Sequence, residues 1–343
     1  MRIIVILSFG LLISVAYSAF TVDSSALSAF SHFPFFYIIA LAVMVALPWL
    51  ADTLRVQIWL RFLEKRERFT DVFRMTLATE MASAMSPAAI GGSGAKLGWM
   101  ISRGIAPGVA SSIMALNALE DTVFFILALP LALWLSPATG EGMTLDKLWR
   151  MIQERGLTGS RSASIFLFGI LLLYLAGRMA WNLLPPSFKS RVNGWKDRLR
   201  HQIVLARQTF RRMIAQGGWR FFATVCLSGL HWACRFSMLT VLLIGLHHYV
   251  DPFNFFASQW LVFMLMKLVP SPGGAGGAEL AFLFFYRSLL PENLLGLLVG
   301  AWRVLTFTLP VGLATLLFLG LMRWRAGYHG NFLKFKKPEL TKS

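Results

Sequence analysis

Six apolar runs, each long enough to cross a lipid bilayer as a helix, constrain this chain more than any other feature. They cover residues 3–20, 35–60, 107–135, 165–184, 221–247 and 294–322. A hydrocarbon core about 30 Å thick requires about 20 apolar residues for each helical crossing. Of the 343 residues, 56% are hydrophobic and only 14% are charged, whereas soluble domains carry about 25% charged residues. The sequence therefore predicts an all-α, polytopic integral membrane protein.

Two further apolar stretches, 72–103 and 253–288, are interrupted near their middle. The interruptions read Ser-Pro-Ala-Ala-Ile-Gly-Gly-Ser-Gly-Ala-Lys at 86–96 and Ser-Pro-Gly-Gly-Ala-Gly-Gly-Ala-Glu at 271–279. Proline lacks the amide donor and glycine adopts unusual dihedral angles, so a helix is predicted to break there. The arms before the breaks, about 20 Å long as helices, are too short to cross the core. The pattern predicts two reentrant hairpins forming an inverted repeat, with eight or more tilted crossings as the alternative.

Lysine and arginine are distributed unevenly between the apolar runs, which predicts the orientation of the chain. Residues 21–34 contain none, whereas 61–74 contain five and 184–218 contain eight. Because cytoplasmic loops are enriched in these residues, we expect a bacterial-type inner membrane protein with both termini in the cytoplasm. The first hairpin then opens to the cytoplasm and the second to the periplasm. The outer loop 136–160, which contains three Lys or Arg, is a mild conflict with this topology.

One transmembrane domain over 1–330 accounts for these runs, with the first hairpin in 1–160 and the second in 161–330. The run 3–20 resembles a signal peptide but is expected to remain as an anchor, because further spans follow. The basic segment 185–218 carries apolar residues at three- and four-residue spacing from Val192 to Met213. This spacing predicts a cytoplasmic amphipathic helix, which either lies on the acidic leaflet or packs on the protein's own loops. A cytoplasmic tail, 331–343, follows the last run.

The first break is a candidate site for an anionic group. Backbone freed from a helix inside a membrane is tolerated only when it is buried in protein or lines a wet cavity. The arm after the break begins a helix, and unsatisfied amides at a helix N-terminus favour anions. We expect Lys96 and the backbone of Gly92, Ser93 and Gly94 to bind a phosphate group. The alternative is that these glycines serve only close helix packing.

Charged residues inside the apolar runs are further candidates. A central charge costs about 2.5–3.5 kcal/mol on insertion scales, so these side chains must pair or line water. We expect Arg235 and Arg303 to add cationic contacts to the site and Glu279 to gate it or to pair with them. Glu279 has a simpler alternative role, the stabilisation of a helix N-terminus. The other candidates are Asp52, Arg55, Glu80, Glu120, Asp121, Arg178, His231 and Lys267.

Several function classes are excluded by the absence of their motifs from the sequence. The formal net charge of +17 would suggest nucleic acid binding in a soluble protein, but here it lies in short loops between apolar runs. The sequence contains no HExxH, Cys/His metal spacing, GxSxG or Walker GK[ST] core. We therefore expect no catalytic residues, no metal and no cofactor.

Residues in the second break and the last run resemble a known family. Residues 270–279 and the Arg-Val-Leu-Thr-Phe-Thr-Leu-Pro segment at 303–310 resemble the C-terminal signature of the lysylphosphatidylglycerol synthase transmembrane-region family. Residues 84–92 and Gly104-Ile105 are similar to its N-terminal signature, although Ser93-Gly94 stands where many members carry an acidic residue. The family includes the flippase half of the multiple-peptide-resistance factor. The positions that match are Pro272, Gly273, Gly274, Glu279 and Arg303.

The resemblance implies lipid translocation or assistance to lipid modification. Since the chain has no room for the soluble aminoacyl-transferase domain of the fused members, lipid lysylation by this polypeptide alone is not expected. We expect the protein to bind an anionic phospholipid or a polyprenyl-phosphate-type lipid and to flip it across the inner membrane. The alternatives are a membrane-embedded enzyme and an accessory subunit or scaffold of a lipid-modifying synthase, and a homo-oligomer is a further option.

Overall fold

Helices joined by short turns make up the part of the chain that the structure describes. The computed structural model describes residues 33–86, 89–136, 186–266, 269, 271, 273–287 and 289–334. The helices are α1 (Phe35–Phe62), α2 (Phe69–Met85), α3 (Ile90–Ser102), α4 (Pro107–Leu135), α5 (Pro186–Gln216), α6 (Gly218–Gly245), α7 (Pro252–Met266), α8 (Gly277–Tyr286), α9 (Glu292–Arg303) and α10 (Leu309–Lys334). A π-helical turn, Val304–Thr308, joins α9 to α10. The predicted runs 3–20 and 165–184 lie outside the described residues, as do most of the loop 136–160 and of the tail 331–343.

Four segments of the described chain are long and apolar enough to cross a membrane. They are Phe35–Phe62, Pro107–Leu135, Gly218–Gly245 and Leu294–Met322, and they confirm four of the six predicted runs. Many of their large apolar side chains are exposed, among them Ile38, Ile126, Leu131 and Leu316. Extensive exposed apolar surface of this kind marks contact with a membrane. The protein is therefore an all-α, multi-pass membrane protein.

The antiparallel helices α1 and α6 define two ends of the helical bundle. Gly217, immediately before α6, lies against the ring of Trp59 near the end of α1. Gly245, at the end of α6, lies against Phe33 and Tyr37, where α1 begins. We call the first of these the arginine-rich end, because it also holds Arg61 in the last turn of α1 and Arg66 and Arg68 in the loop that follows. The other is called the opposite end.

The first interrupted stretch forms an antiparallel pair of helices, α2 and α3, which we call hairpin A. Arg103, just after α3, pairs with Glu67 at 3.1 Å and with Asp71 at 3.3 Å, so the outer ends of the pair meet. At the inner end, a Cβ on Gly91 would lie 2.5 Å from the Ala82 carbonyl oxygen. Hairpin A therefore opens toward the arginine-rich end, and close packing at its tip requires glycine.

The second interrupted stretch forms another antiparallel pair, α7 and α8, which we call hairpin B. The Tyr286 hydroxyl at the end of α8 donates to the Phe255 carbonyl near the start of α7, and the two rings stack with centroids 5.0 Å apart. Asp251, just before α7, accepts a hydrogen bond from Ser136 at the end of α4. Hairpin B therefore opens toward the opposite end, and its tip points toward that of hairpin A.

Helix α5 confirms the predicted amphipathic helix and packs on the protein. The Gln202 side chain accepts from the Gly108 amide at 2.8 Å, and the Ala206 carbonyl accepts from the Ser112 hydroxyl at 2.8 Å. Met213 is fully buried at the arginine-rich end. An apolar row on the same helix stays exposed, comprising Leu199, Ile203, Val204 and Ile214. Packing on the protein thus uses one face of α5 and leaves part of its apolar surface uncovered.

Candidate functional site

A cavity of about 230 Å³ lies where the tips of the two hairpins meet. Hairpin A contributes Ser83, Ala84 and Ala89, and hairpin B contributes Met266, Gly273 and Gly274. Helix α6 and the α9–α10 segment close the sides. The other lining residues are Glu80, Trp232, Arg235, Phe263, Arg303, Thr306, Phe307 and Val311. We call this space the tip cavity; it combines apolar and aromatic walls with two arginines and one carboxylate.

Arg303 stands on the buried side of the tip cavity and forms an ion pair with Glu279. The Arg303 Nε and Glu279 Oε1 atoms are 2.9 Å apart, and both side chains are almost fully buried. The other Glu279 oxygen accepts from the Gly276 amide at 2.8 Å. Glu279 thus both stabilises the start of α8 and pairs with Arg303, which unites the two roles considered for it. The π-helical turn that directly follows Arg303 is a feature often found at functional sites.

Arg235 forms the second ion pair of the tip cavity, with Glu80 of hairpin A. Its Nη2 lies 2.5 Å from Glu80 Oε1, and the two side chains are 21% and 18% exposed. Arg303 and Glu279 are only 2% and 7% exposed. The pair formed by α6 and α2 is therefore the more exposed of the two.

Gly273 and Gly274 allow the tip of hairpin B to approach its neighbours. Both adopt positive φ angles, +63° and +68°. A Cβ on Gly273 would lie 2.3 Å from the Phe307 ring, and one on Gly274 would lie 2.4 Å from Met266. The Gly273 carbonyl accepts from Arg303 at 3.1 Å, while the same guanidinium lies 4.8 Å from the centroid of the Phe307 ring. Only glycine fits at position 273, because any other residue would strain the backbone at this positive φ and would place its Cβ against the Phe307 ring.

Gly92, Ser93, Gly94 and Lys96 are not among the residues that line the tip cavity. Helix α3 begins at Ile90, so the amides of Ser93 and Gly94 lie inside it rather than at its free first turn. The free amide of Gly91 is capped by the Ser86 hydroxyl at 2.7 Å. Gly92 packs on α2, where a Cβ would meet Ser83 at 1.9 Å, which fits the alternative of close helix packing. The predicted phosphate role of these residues stays a prediction.

Lys96 points to a second polar region, which we call the Arg55 cluster. Its Nζ donates to Asn117 Oδ1 of α4 at 3.1 Å. Arg55 of α1 stands at the centre and contacts three carboxylates: Asp52 at 3.2 Å, Glu120 at 2.9 Å and Asp121 at 2.8 Å. The predicted pairing of Asp52 with Arg55 on one helix face is confirmed. His231 of α6 lies 3.6 Å from Asp52 and completes the cluster.

Some contributors were not singled out as site residues in the sequence. Glu80 was a candidate only as one of the charges inside the apolar runs, Phe307 stood only within the 303–310 segment that carries the family resemblance, and Trp232 had no signal beyond its place in an apolar run. Asn117 was overlooked, although it lies three and four residues before two acidic residues within an apolar run, a helical spacing that marks a polar stripe. Pro272, which the resemblance implied, lies outside the described residues.

A comparison with known families shows to which family the chain belongs. A family model described as the lysylphosphatidylglycerol synthase TM region matches residues 7–314. The chain belongs to this family. The resemblance read from the two broken segments is thereby confirmed, and the tip cavity and the Arg55 cluster both lie inside the lysylphosphatidylglycerol synthase TM region. A similar protein is a UPF0104 membrane protein from Archaeoglobus fulgidus, 24% identical over 311 residues, which are 87% of this chain and 92% of that protein.

Proposed function

We propose that the protein binds the phosphate-bearing head group of an anionic lipid in the tip cavity and moves it across the membrane. The observation that carries this proposal is the meeting of two opposed hairpin tips around Arg235 and Arg303. A guanidinium provides bidentate, charge-assisted donors that match a phosphodiester. The name of the family, which refers to a phospholipid synthase, supports a lipid as the ligand.

In this proposal, hairpins A and B are reentrant and form an inverted repeat. Helices α2, α3, α7 and α8 have 17, 13, 15 and 10 residues. Their lengths of roughly 26, 20, 22 and 15 Å fall short of a core of about 30 Å. The two hairpins open at opposite ends of the bundle, as inverted repeats do in transporters whose substrate binds near the midplane. These features favour partial insertion over complete crossings.

The arginine-rich end faces the cytoplasm in this proposal. Arg61, Arg66, Arg68 and Arg103 lie there, together with the basic helix α5. Positive residues near transmembrane ends are retained on the cytoplasmic side, which supports an inner membrane location with both termini inside. Hairpin A then opens to the cytoplasm and hairpin B to the periplasm.

The two ion pairs have different roles in head-group binding. The Arg303–Glu279 pair is buried, and Arg303 also holds the Gly273 carbonyl, so it positions the tip of hairpin B. Arg235 is more exposed, and its ion-pair partner among the described residues is Glu80. An anionic head group therefore competes with Glu80 for Arg235. At about 230 Å³ the tip cavity holds a head group and leaves the acyl chains in the bilayer.

The test uses two substitutions that are expected to act in opposite directions. Arg235→Gln removes a charge-assisted hydrogen bond worth about 1.5–3 kcal/mol, so it should weaken binding of short-chain phosphatidylglycerol at least about tenfold. Glu80→Gln removes the competitor and should strengthen binding. Binding is measured by native mass spectrometry in detergent, with diacylglycerol as the ligand that lacks phosphate. Translocation is measured in proteoliposomes with fluorescent phosphatidylglycerol and a membrane-impermeant quencher.

The matched control is Arg207→Gln, which removes an exposed arginine from α5. It should leave both binding and translocation unchanged. A head-group site in the tip cavity would be refuted if Arg235→Gln bound and translocated the lipid as well as the wild type does. It would also be refuted if Arg207→Gln lost as much binding and translocation as Arg235→Gln.

A lipid-modifying role, as an enzyme or as an accessory subunit of a synthase, is the second candidate function. The family description favours it, because it names the membrane region of a synthase. Purified protein incubated with phosphatidylglycerol and a cell extract should then yield a lipid of new mass. An unchanged lipid that nevertheless crosses the bilayer supports translocation instead.

A further inference from the structure

The Arg55 cluster is a second buried ionic site, apart from the residues that line the tip cavity. Its charged members are Asp52, Arg55, Lys96, Glu120, Asp121 and His231, drawn from α1, α3, α4 and α6. Arg55 and Glu120 are 3% and 0% exposed. Ionisable side chains at such positions in a membrane domain are expensive and are a default hypothesis of function.

Among the residues that the structure describes, and with all three carboxylates ionised, the charges of the cluster balance only when His231 is protonated. Three carboxylates face two cationic groups, the Arg55 guanidinium and the Lys96 ammonium, so the cluster carries one net negative charge when the imidazole is neutral. The nearest other charge on α6, Arg235, is already paired with Glu80 and adds nothing to the balance. A buried uncompensated charge is strongly unfavourable in an apolar environment. One proton on His231 brings the cluster to neutrality.

The geometry around His231 suits reversible protonation of its imidazole. Its Nδ1 lies 3.3 Å from the Pro48 carbonyl oxygen and 3.6 Å from Asp52 Oδ1, so a proton on Nδ1 has acceptors on both sides. The imidazole is 9% exposed, whereas Asp52 and Asp121 are 32% and 29% exposed. Because these two carboxylates are partly exposed, they are the part of the cluster that a proton from outside the protein can reach. Among side chains, imidazole is the one whose charge ordinarily changes between pH 5 and 8.

The cluster is mechanically connected to the tip cavity. The ring of His231 lies edge-on to that of Trp232, with centroids 5.0 Å apart, and Trp232 lines the cavity. Arg235 follows His231 by one helical turn on the same helix. Lys96 connects the cluster to hairpin A through its bond to Asn117. A change of charge at His231 therefore acts on the head-group arginine and on one of the two hairpins.

We propose that His231, with Asp52, binds a coupling proton for head-group translocation. In the neutral state the imidazole carries its one proton on Nε2. The incoming proton passes from water to the Asp52 carboxylate and on to Nδ1, which makes the ring a cation; release reverses the step. The positive charge on His231, one helical turn from Arg235, adds to the field that attracts an anion into the tip cavity, so the proton and the head group are bound together in one cycle. The coupling rests on the proposed function, whereas the proton site does not.

Proton binding is tested without transport, in protein reconstituted into nanodiscs. Protonated imidazole quenches an adjacent indole, so the wild type should show a pH-dependent change in tryptophan fluorescence that His231→Gln lacks. His201→Gln, which removes an exposed histidine from α5, is the matched control and should titrate like the wild type. Asp52→Asn provides a second variant and should shift the midpoint of the change. A fluorescence titration that is the same in His231→Gln and in the wild type would overturn the proton site.

Coupling is tested with fluorescent phosphatidylglycerol in proteoliposomes under an imposed pH gradient. We expect the wild-type translocation rate to change at least threefold on reversal of the gradient, and the His231→Gln rate to be insensitive to it. Wild-type translocation that ignores the gradient would overturn the coupling while leaving the proposed function intact. A wild type that binds the proton but moves no lipid would overturn the proposed function and the coupling together, and would leave the proton site supported.

Discussion

Removal of one partner from the Glu279–Arg303 pair should destabilise the protein far more than removal of both. The two side chains are 7% and 2% exposed, and Nε and Oε1 lie 2.9 Å apart. Charge centres about 4 Å apart attract by about 4 kcal/mol at an effective dielectric constant of about 20. Breaking a buried pair by removing one partner costs about 3–5 kcal/mol, because the remaining charge is left uncompensated. At about 2 °C per kcal/mol, Glu279→Gln should lower the thermal midpoint by about 6–10 °C.

The double variant Glu279→Gln/Arg303→Gln separates this effect from loss of the α8 N-terminal contact. It leaves no uncompensated charge, so its midpoint should recover to within a few degrees of the wild type. The Gly276 amide keeps an acceptor, since a glutamine oxygen replaces the carboxylate. The assay is thermal unfolding in detergent, followed by size-exclusion fluorescence, with Glu292→Gln at the exposed start of α9 as the control. A double variant as unstable as Glu279→Gln would refute the argument from pairing.

Three further outcomes are expected. Gly273→Ala should lower both stability and lipid binding, because its Cβ would lie 2.3 Å from the Phe307 ring at a φ of +63°; thermal unfolding and native mass spectrometry measure the two losses. Cysteines at Ser93 and Ala275 should react with a small aqueous thiol reagent only from the side on which their hairpin opens, and labelling of both from one side would contradict opposed reentrant hairpins. A nitroxide at Ile203, which is 57% exposed on α5, should be relaxed more by oxygen dissolved in lipid than by an aqueous nickel complex; the reverse order would place that face of α5 in water.

The sequence was sufficient for those features that depend on the local backbone. The spans 107–135 and 294–322 and the two interruptions followed from hydrophobic length and from proline and glycine, which act within a few residues. The same holds for the pairing of Asp52 with Arg55, since residues three apart share a face of any helix. Helix α5 was predictable because its apolar spacing is periodic from Val192 to Met213.

The partners of the remaining charges were decided only by the tertiary structure. Arg235 meets Glu80 across 155 positions of sequence, and Lys96 turns to Asn117 rather than to the arginines with which it was expected to act. Such pairings depend on the rotation of each helix about its axis and on which helices become neighbours, and hydrophobic patterning constrains neither when lipid surrounds the bundle. The residues of the site were therefore largely visible in the sequence, while their division into the tip cavity and the separate Arg55 cluster arose from packing.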